Sequence, residues 1–116
     1  MQRNRQHRVL AALAVAAALT PLRALATTFW HSGTLNWIYP QADGSVVLTF
    51  TTDHPSCTNT ASPKYYLVMV GQAGVTADGM KNMVATALSA FAMGRTLNVN
   101  FDDATNNCFI NRMFMQ

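Results

Sequence analysis

Residues 78–101 read DGMKNMVATALSAFAMGRTLNVNF, and the change of period inside this stretch decides the fold. Met80, Met83, Val84, Ala87, Leu88 and Phe91 recur at steps of three and four, which places them on one stripe of an α-helix. Gly94 stands just beyond, where a residue without a Cβ most easily takes the left-handed conformation that ends a helix. From Arg95 to Phe101 the period becomes two, with Leu97, Val99 and Phe101 on one face and Thr96, Asn98 and Asn100 on the other. A helix therefore stops on a glycine and leads into a strand.

Upstream, Thr76 is the expected N-cap, and Asp78 in the first turn suits the positive end of the helix dipole. Lys64–Gly71 is apolar almost throughout, which predicts a strand buried on both faces. Ser45–Thr52 predicts another strand, with Val46, Leu48 and Phe50 sharing a face. Thr28–Tyr39 predicts the first, in which Leu35, Trp37 and Tyr39 alternate with Thr34, Asn36 and Ile38. Gly33 within it marks a bulge or a close backbone approach. Pro40–Gly44 is the turn of a hairpin: proline starts it and Asp43-Gly44 supplies the positive φ. Asp53–Pro63 reads as a polar loop carrying Cys57. Downstream, Asp102–Asn107 is a turn and Cys108–Met115 a fifth strand. The order β-β-β-α-β-β, mainly β with one helix in an α+β arrangement, is that of an OB-fold, a small five-stranded Greek-key barrel. Other layouts with one helix packed on a five-stranded sheet compete with it.

Residues 1–26 have the form of an export signal. Arg3, Arg5 and Arg8 precede the apolar run Val9–Leu19, Pro21 breaks it, and Ala24-Leu25-Ala26 is a small-residue cleavage site. The apolar run is too short for the roughly 20 residues that span a bilayer, so no membrane span is expected after cleavage. The remaining single domain, 27–116, keeps Lys64, Lys81, Arg95 and Arg112 against five aspartates, a net charge of −1 where the whole chain has +3. The basic character thus belongs to the signal, and nucleic acid, which needs clustered cations, is excluded as a partner. Export to the periplasm or beyond also bears on Cys57 and Cys108, the chain's two cysteines. In an oxidising compartment they predict one disulfide, with two free thiols or an intermolecular pair as the alternatives.

Sites for chemistry are scarce. Asp53-His54 lies just ahead of Cys57, an arrangement that could activate a thiolate, but a cysteine held in a disulfide is no nucleophile. His31 and His54 lack the paired spacing of a zinc site, and Asp102-Asp103 with Asn106-Asn107 lacks the spaced ligands of a calcium loop. There is no glycine-rich phosphate loop, no nucleophile elbow and no glutamate anywhere in the chain. No catalytic residue, metal or cofactor is expected, and a small hydrolase is disfavoured. The candidate ligand contacts are the strand aromatics Trp30, Trp37 and Tyr39, set among Asn, Asp and Thr side chains as in a glycan site. Most aromatics of so small a domain, Tyr65 and Tyr66 included, are expected in the core. The back of the helix, with Asn82, Ala85, Ser89 and Met93, is short of charge, as an oligomer face would be.

The segment Ala87–Val99, with its pattern A-L-x-x-F-x-x-G-x-x-[VL]-x-[VI], resembles the helix-to-strand stretch of bacterial AB5 toxin binding subunits of the subtilase-cytotoxin and typhoid-toxin type. The resemblance covers about 15 residues closely and about 70 in outline. It implies an OB-fold, a ring of five subunits with the helices around a central pore, and binding to host glycans. The chain is shorter than those subunits, Cys108 does not match their disulfide, and no sugar-contacting residue can be carried over. The resemblance and the residues together point to an exported, non-enzymatic binding protein. The alternative is a periplasmic structural or inhibitory protein that binds another protein through its exposed strands. The exported protein is expected to have an intact mass corresponding to a start near Thr27. Material retaining residues 1–26 would remove the export reading.

Overall fold

The computed structural model describes residues 26–116. The export signal read at residues 1–26 thus lies, but for Ala26, outside the described residues. The helix α1 spans Ala77–Met93. Its first turn is closed by the Thr76 hydroxyl, which accepts the Gly79 N–H at 3.0 Å. Its last turn ends on Gly94 at φ 61°, and the Arg95 N–H reaches back to the Ala90 carbonyl at 2.9 Å. Five strands accompany it: β1 Thr28–Pro40, β2 Val46–Phe50, β3 Tyr65–Val68, β4 Thr96–Asp102 and β5 Ile110–Met115. The β1–β2 turn has the expected chemistry. Gly44 has φ 86°, and the Asp43 carboxylate accepts both the hydroxyl and the N–H of Ser45, which holds its pKa below the ordinary value.

The strands form one sheet in the order β3-β2-β1-β4-β5, each pair antiparallel. β1 belongs to both halves: Thr28–Thr34 pair with β4, and Leu35–Pro40 pair with β2. The register shifts between Leu35 and Trp37, so Asn36 is an extra residue and the strand bends there. Gly33 marks a close approach, since a Cβ there would stand 3.3 Å from both Phe50 Cδ1 and Thr52 Oγ1. The curled sheet is closed by a parallel bridge from Leu67 to Phe109, with the Leu67 N–H on the Cys108 carbonyl at 3.4 Å. This is the five-stranded, OB-fold-like barrel with one helix.

The interior is built by Leu48, Phe50, Tyr66, Leu97, Val99, Phe101 and Ile110, each at most 1 % exposed. Three expectations about faces need correction. The Asn36 bulge breaks the alternation of β1, so Leu35 turns inward while Trp37 and Tyr39, expected on the same face, are 54 % and 42 % exposed. β3 is shorter than Lys64–Gly71 and not buried on both faces. Tyr66 and Val68 are inside, Tyr65 and Leu67 half-buried, and Val70 lies in the following turn. The helix stripe is also rotated. Met80, Ala87 and Ala90 are buried, and Leu88 and Phe91, placed on the packing face by periodicity, are half-exposed. Ala87 and Ala90 have no bulk to hold the helix off the barrel, so it settles on them and turns its larger neighbours to the flank.

β4 is closed on both sides. Its outward Asn98 and Asn100 are 6 % and 1 % exposed and fully engaged. Asn98 takes the Ser32 hydroxyl and donates to Gln116 Oε1 at 3.1 Å. Asn100 donates to the Phe29 carbonyl at 3.3 Å and accepts from Asn111 at 2.7 Å. Cys57 and Cys108 form the disulfide, fully buried, with Cα atoms 5.6 Å apart. Buried Asn59 lies against it and donates to the carbonyls of Tyr65 and Asn106 at 2.9 and 3.1 Å. Among the described residues no helix is long and apolar enough to cross a membrane.

The disulfide closes a loop across a sequence separation of 51. Replacing both cysteines by alanine is expected to lower unfolding stability by up to about 4 kcal/mol, the chain-entropy value for a loop of this length. A urea denaturation midpoint measures it.

Candidate ligand-binding surface

On the outer side of β1, β2 and β3, register sets the side chains in two rows. Trp37, Thr49 and Tyr65 lie across the strands in one row, and Tyr39, Val47 and Leu67 in the next. Thr49 and Val47 are 2 % and 1 % exposed because the larger side chains on either side cover them. The Thr49 hydroxyl accepts the Trp37 N–H at 3.1 Å, in place of a ladder bond lost at the bulge. Tyr39, Val47, Tyr65 and Leu67 line a groove of about 230 Å³ whose polar rim is Gln41 and Asn107. The Tyr65 hydroxyl donates to Asn107 Oδ1 at 3.4 Å, tying the β4–β5 turn to this edge.

A second depression, about 440 Å³, opens beside the bulge and is lined by Asn36, Phe50, Thr51, Asp53, Ser62 and Pro63. Asp53 accepts the Lys64 N–H at 3.0 Å through one carboxylate oxygen, which leaves the other for a ligand. Behind its Asp53 wall the segment 52–56 is held to the barrel by two histidines and a tyrosine. His31 Nε2 donates to the Thr52 carbonyl at 2.9 Å, and the Tyr66 hydroxyl accepts the His54 N–H at 3.0 Å. Burial holds both imidazoles below their ordinary pKa and pushes the Tyr66 phenol above its own.

The three candidate aromatics are all exposed, but the fold brings only two of them together. Trp37 and Tyr39 share the β1–β2–β3 face. Trp30, 47 % exposed, lies on the other half-sheet with its ring edge-on to Phe114 at 5.4 Å and the Arg112 guanidinium 5.2 Å from its centroid. Asn82, Ala85, Ser89 and Met93 are exposed on α1. The hydroxyls of this face are turned inward: Ser89 donates to the Ala85 carbonyl and Thr86 to the Asn82 carbonyl, both at 2.9 Å. Cys57 is consumed by the disulfide, so the Asp53-His54 neighbourhood holds no thiol. Among the described residues no three His, Cys, Asp or Glu side chains stand together as a metal site would need.

Nothing in the sequence marks Asn36, Thr51, Asp53 and Ser62 as lining one recess, since polar residues around a loop carry no spacing signal. The meeting of His31 and His54 is unmarked too, because one comes from a strand and the other from a loop on the far side of β2.

No protein-family model matches the chain, and no curated protein matches it either. Among solved structures, the chain is similar to the cholera toxin-like B-subunit from Citrobacter freundii, with a TM-score of 0.58 over 78 % of this chain and 86 % of that one. Identity is 10 %, so the likeness is one of fold. The fold is B-subunit-like.

Tyr66→Phe leaves the His54 N–H without its acceptor. It is expected to cost about 1–3 kcal/mol in stability, read from the urea midpoint.

Proposed function

We propose that the chain is a small exported, non-enzymatic protein that binds a glycan on the outer face of β1, β2 and β3. The observation that carries this is the exposed pair Trp37 and Tyr39 beside a groove rimmed by Gln41 and Asn107. Aromatic rings offer flat apolar faces to the C–H side of a pyranose, and amide groups meet its hydroxyls. The recess at Asn36 and Asp53 extends the polar part of the surface, since a carboxylate oxygen accepts from neighbouring sugar hydroxyls. No cation lines either depression, which favours a neutral sugar over a sialylated one. The fold likeness to a toxin B-subunit is compatible with recognition of this kind.

Self-association belongs to the same proposal. The outward side of α1 is uncharged from Asn82 to Met93, its hydroxyls are satisfied within the helix, and Leu88, Phe91 and Met93 are 51 %, 48 % and 58 % exposed. A second reading, a structural or inhibitory protein bound to a protein partner, rests on Trp30, Phe114 and Arg112. Aromatic and arginine side chains of this kind dominate protein interfaces.

A glycan array with the mature protein at neutral pH is expected to show neutral sugars bound. Trp37→Ala is expected to weaken binding about tenfold, roughly 1.4 kcal/mol, with Trp30→Ala unchanged. No sugar bound, with a partner lost on Trp30→Ala, would establish the second reading instead. Sedimentation is expected to show an oligomer that Ser89→Lys disperses. A monomer at high micromolar concentration would end the self-association proposal.

A further inference from the structure

His31 and His54 meet inside the wall of the recess, their rings perpendicular and 5.9 Å apart. His31 is 6 % exposed, stacked flat on Tyr66 at 5.4 Å and edge-on to Phe50 at 4.7 Å. His54 packs against Phe29 and Phe101 at 5.4 and 5.2 Å. The protons on these rings are set by their partners. His54 Nδ1 accepts the Ser56 N–H at 3.0 Å, so a neutral His54 carries its proton on Nε2. A second proton can enter only at Nδ1, where the Ser56 N–H already points. Charging His54 and keeping that bond exclude each other. His31 already donates from Nε2 to the Thr52 carbonyl, so its second proton goes to Nδ1 and makes a buried cation beside His54.

The ionisable groups facing the pair are few. Asp53 favours a charged His31, and Lys64 opposes a charged His54. From β3 comes the neutral Tyr66 hydroxyl, and β1 and β4 present Phe29 and Phe101. We propose that His31 and His54 are an acid-released latch, holding segment 52–56 and its Asp53 wall on the barrel at neutral pH and freeing both on acidification. Cys57, whose N–H donates to the His54 carbonyl at 3.1 Å, keeps the freed segment tethered through the disulfide. The consequence for ligand release rests on the glycan reading above, while the latch itself does not.

The sign is fixed by burial. Both imidazoles titrate below the ordinary 6.5, so the unfolded chain takes up protons first. Stability present above pH 6.5 is lost as pH falls toward the folded values.

Hydrogen exchange of the unliganded mature protein, corrected for intrinsic rates, tests the latch at pH 7.5 and 5.0. The His54 and Ser56 amides are expected to lose at least tenfold in protection at pH 5.0, while Val99 keeps its own. His54→Asn places an amide oxygen where Nδ1 accepts but does not titrate, and with His31→Gln it is expected to abolish the response. Wild-type protection changing less than twofold would overturn the latch, as would an undiminished response in either His54→Asn or the double variant. Lactose and methyl mannoside serve as neutral-sugar probes. Binding at pH 7.5 that weakens tenfold at pH 5.0 supports control of the ligand, and equal binding at both overturns it. Absence of binding at pH 7.5 counts against the glycan reading and leaves the exchange result to decide the latch.

Discussion

The sheet closes on itself because one strand, β1, serves both of its halves. Its first seven residues pair with β4 and five of its last six with β2, and the extra residue Asn36 absorbs the change of direction. Gly33 lets Phe50 and Thr52 come close at the bend. The same extra residue resets which side chains face outward. Were Asn36 paired in regular register instead of bulged, Trp37 and Tyr39 would follow Leu35 into the barrel. The device that closes the fold is therefore also the one that puts two aromatic rings on the surface.

That coupling explains how much the sequence could reveal. Strand and helix order, the Thr76 and Gly94 caps, the Asp43-Gly44 turn and the Cys57–Cys108 bond were all legible, because each is decided by neighbours in the chain or by having one partner to choose. The faces were less legible. Periodicity treats each strand as unbroken, so one inserted residue at Asn36 inverted the reading of Trp37 and Tyr39. On α1 it weighed Leu88 and Phe91 by hydrophobicity, whereas the fit against the barrel chose Ala87 and Ala90 by size. Exposure of the aromatics became visible only once three strands stood side by side.

The loop between β2 and β3 shows a related division of labour. Cys57 anchors it covalently to Cys108, just ahead of β5, and Asn59 supplies the polar half of that anchor by meeting the carbonyls of Tyr65 and Asn106. The preceding segment has no covalent hold and relies on side-chain partners from β1 and β3. One loop thus contains a permanent attachment and a conditional one, a few residues apart, beside the larger depression of the surface.

The asparagines of β4 answer a problem that its apolar residues leave open. Leu97, Val99 and Phe101 repeat every second position, so sliding β4 by two residues against β1 would still point apolar side chains inward, and hydrophobicity would hardly register the error. Asn98 and Asn100 make the error costly. Each is closed off from water and matched to particular atoms of Ser32, Phe29, Asn111 and Gln116. A slipped strand would strand those amides without partners in a dry interface. The polar row therefore works as an alignment key, selecting one pairing from a set that the core alone would accept.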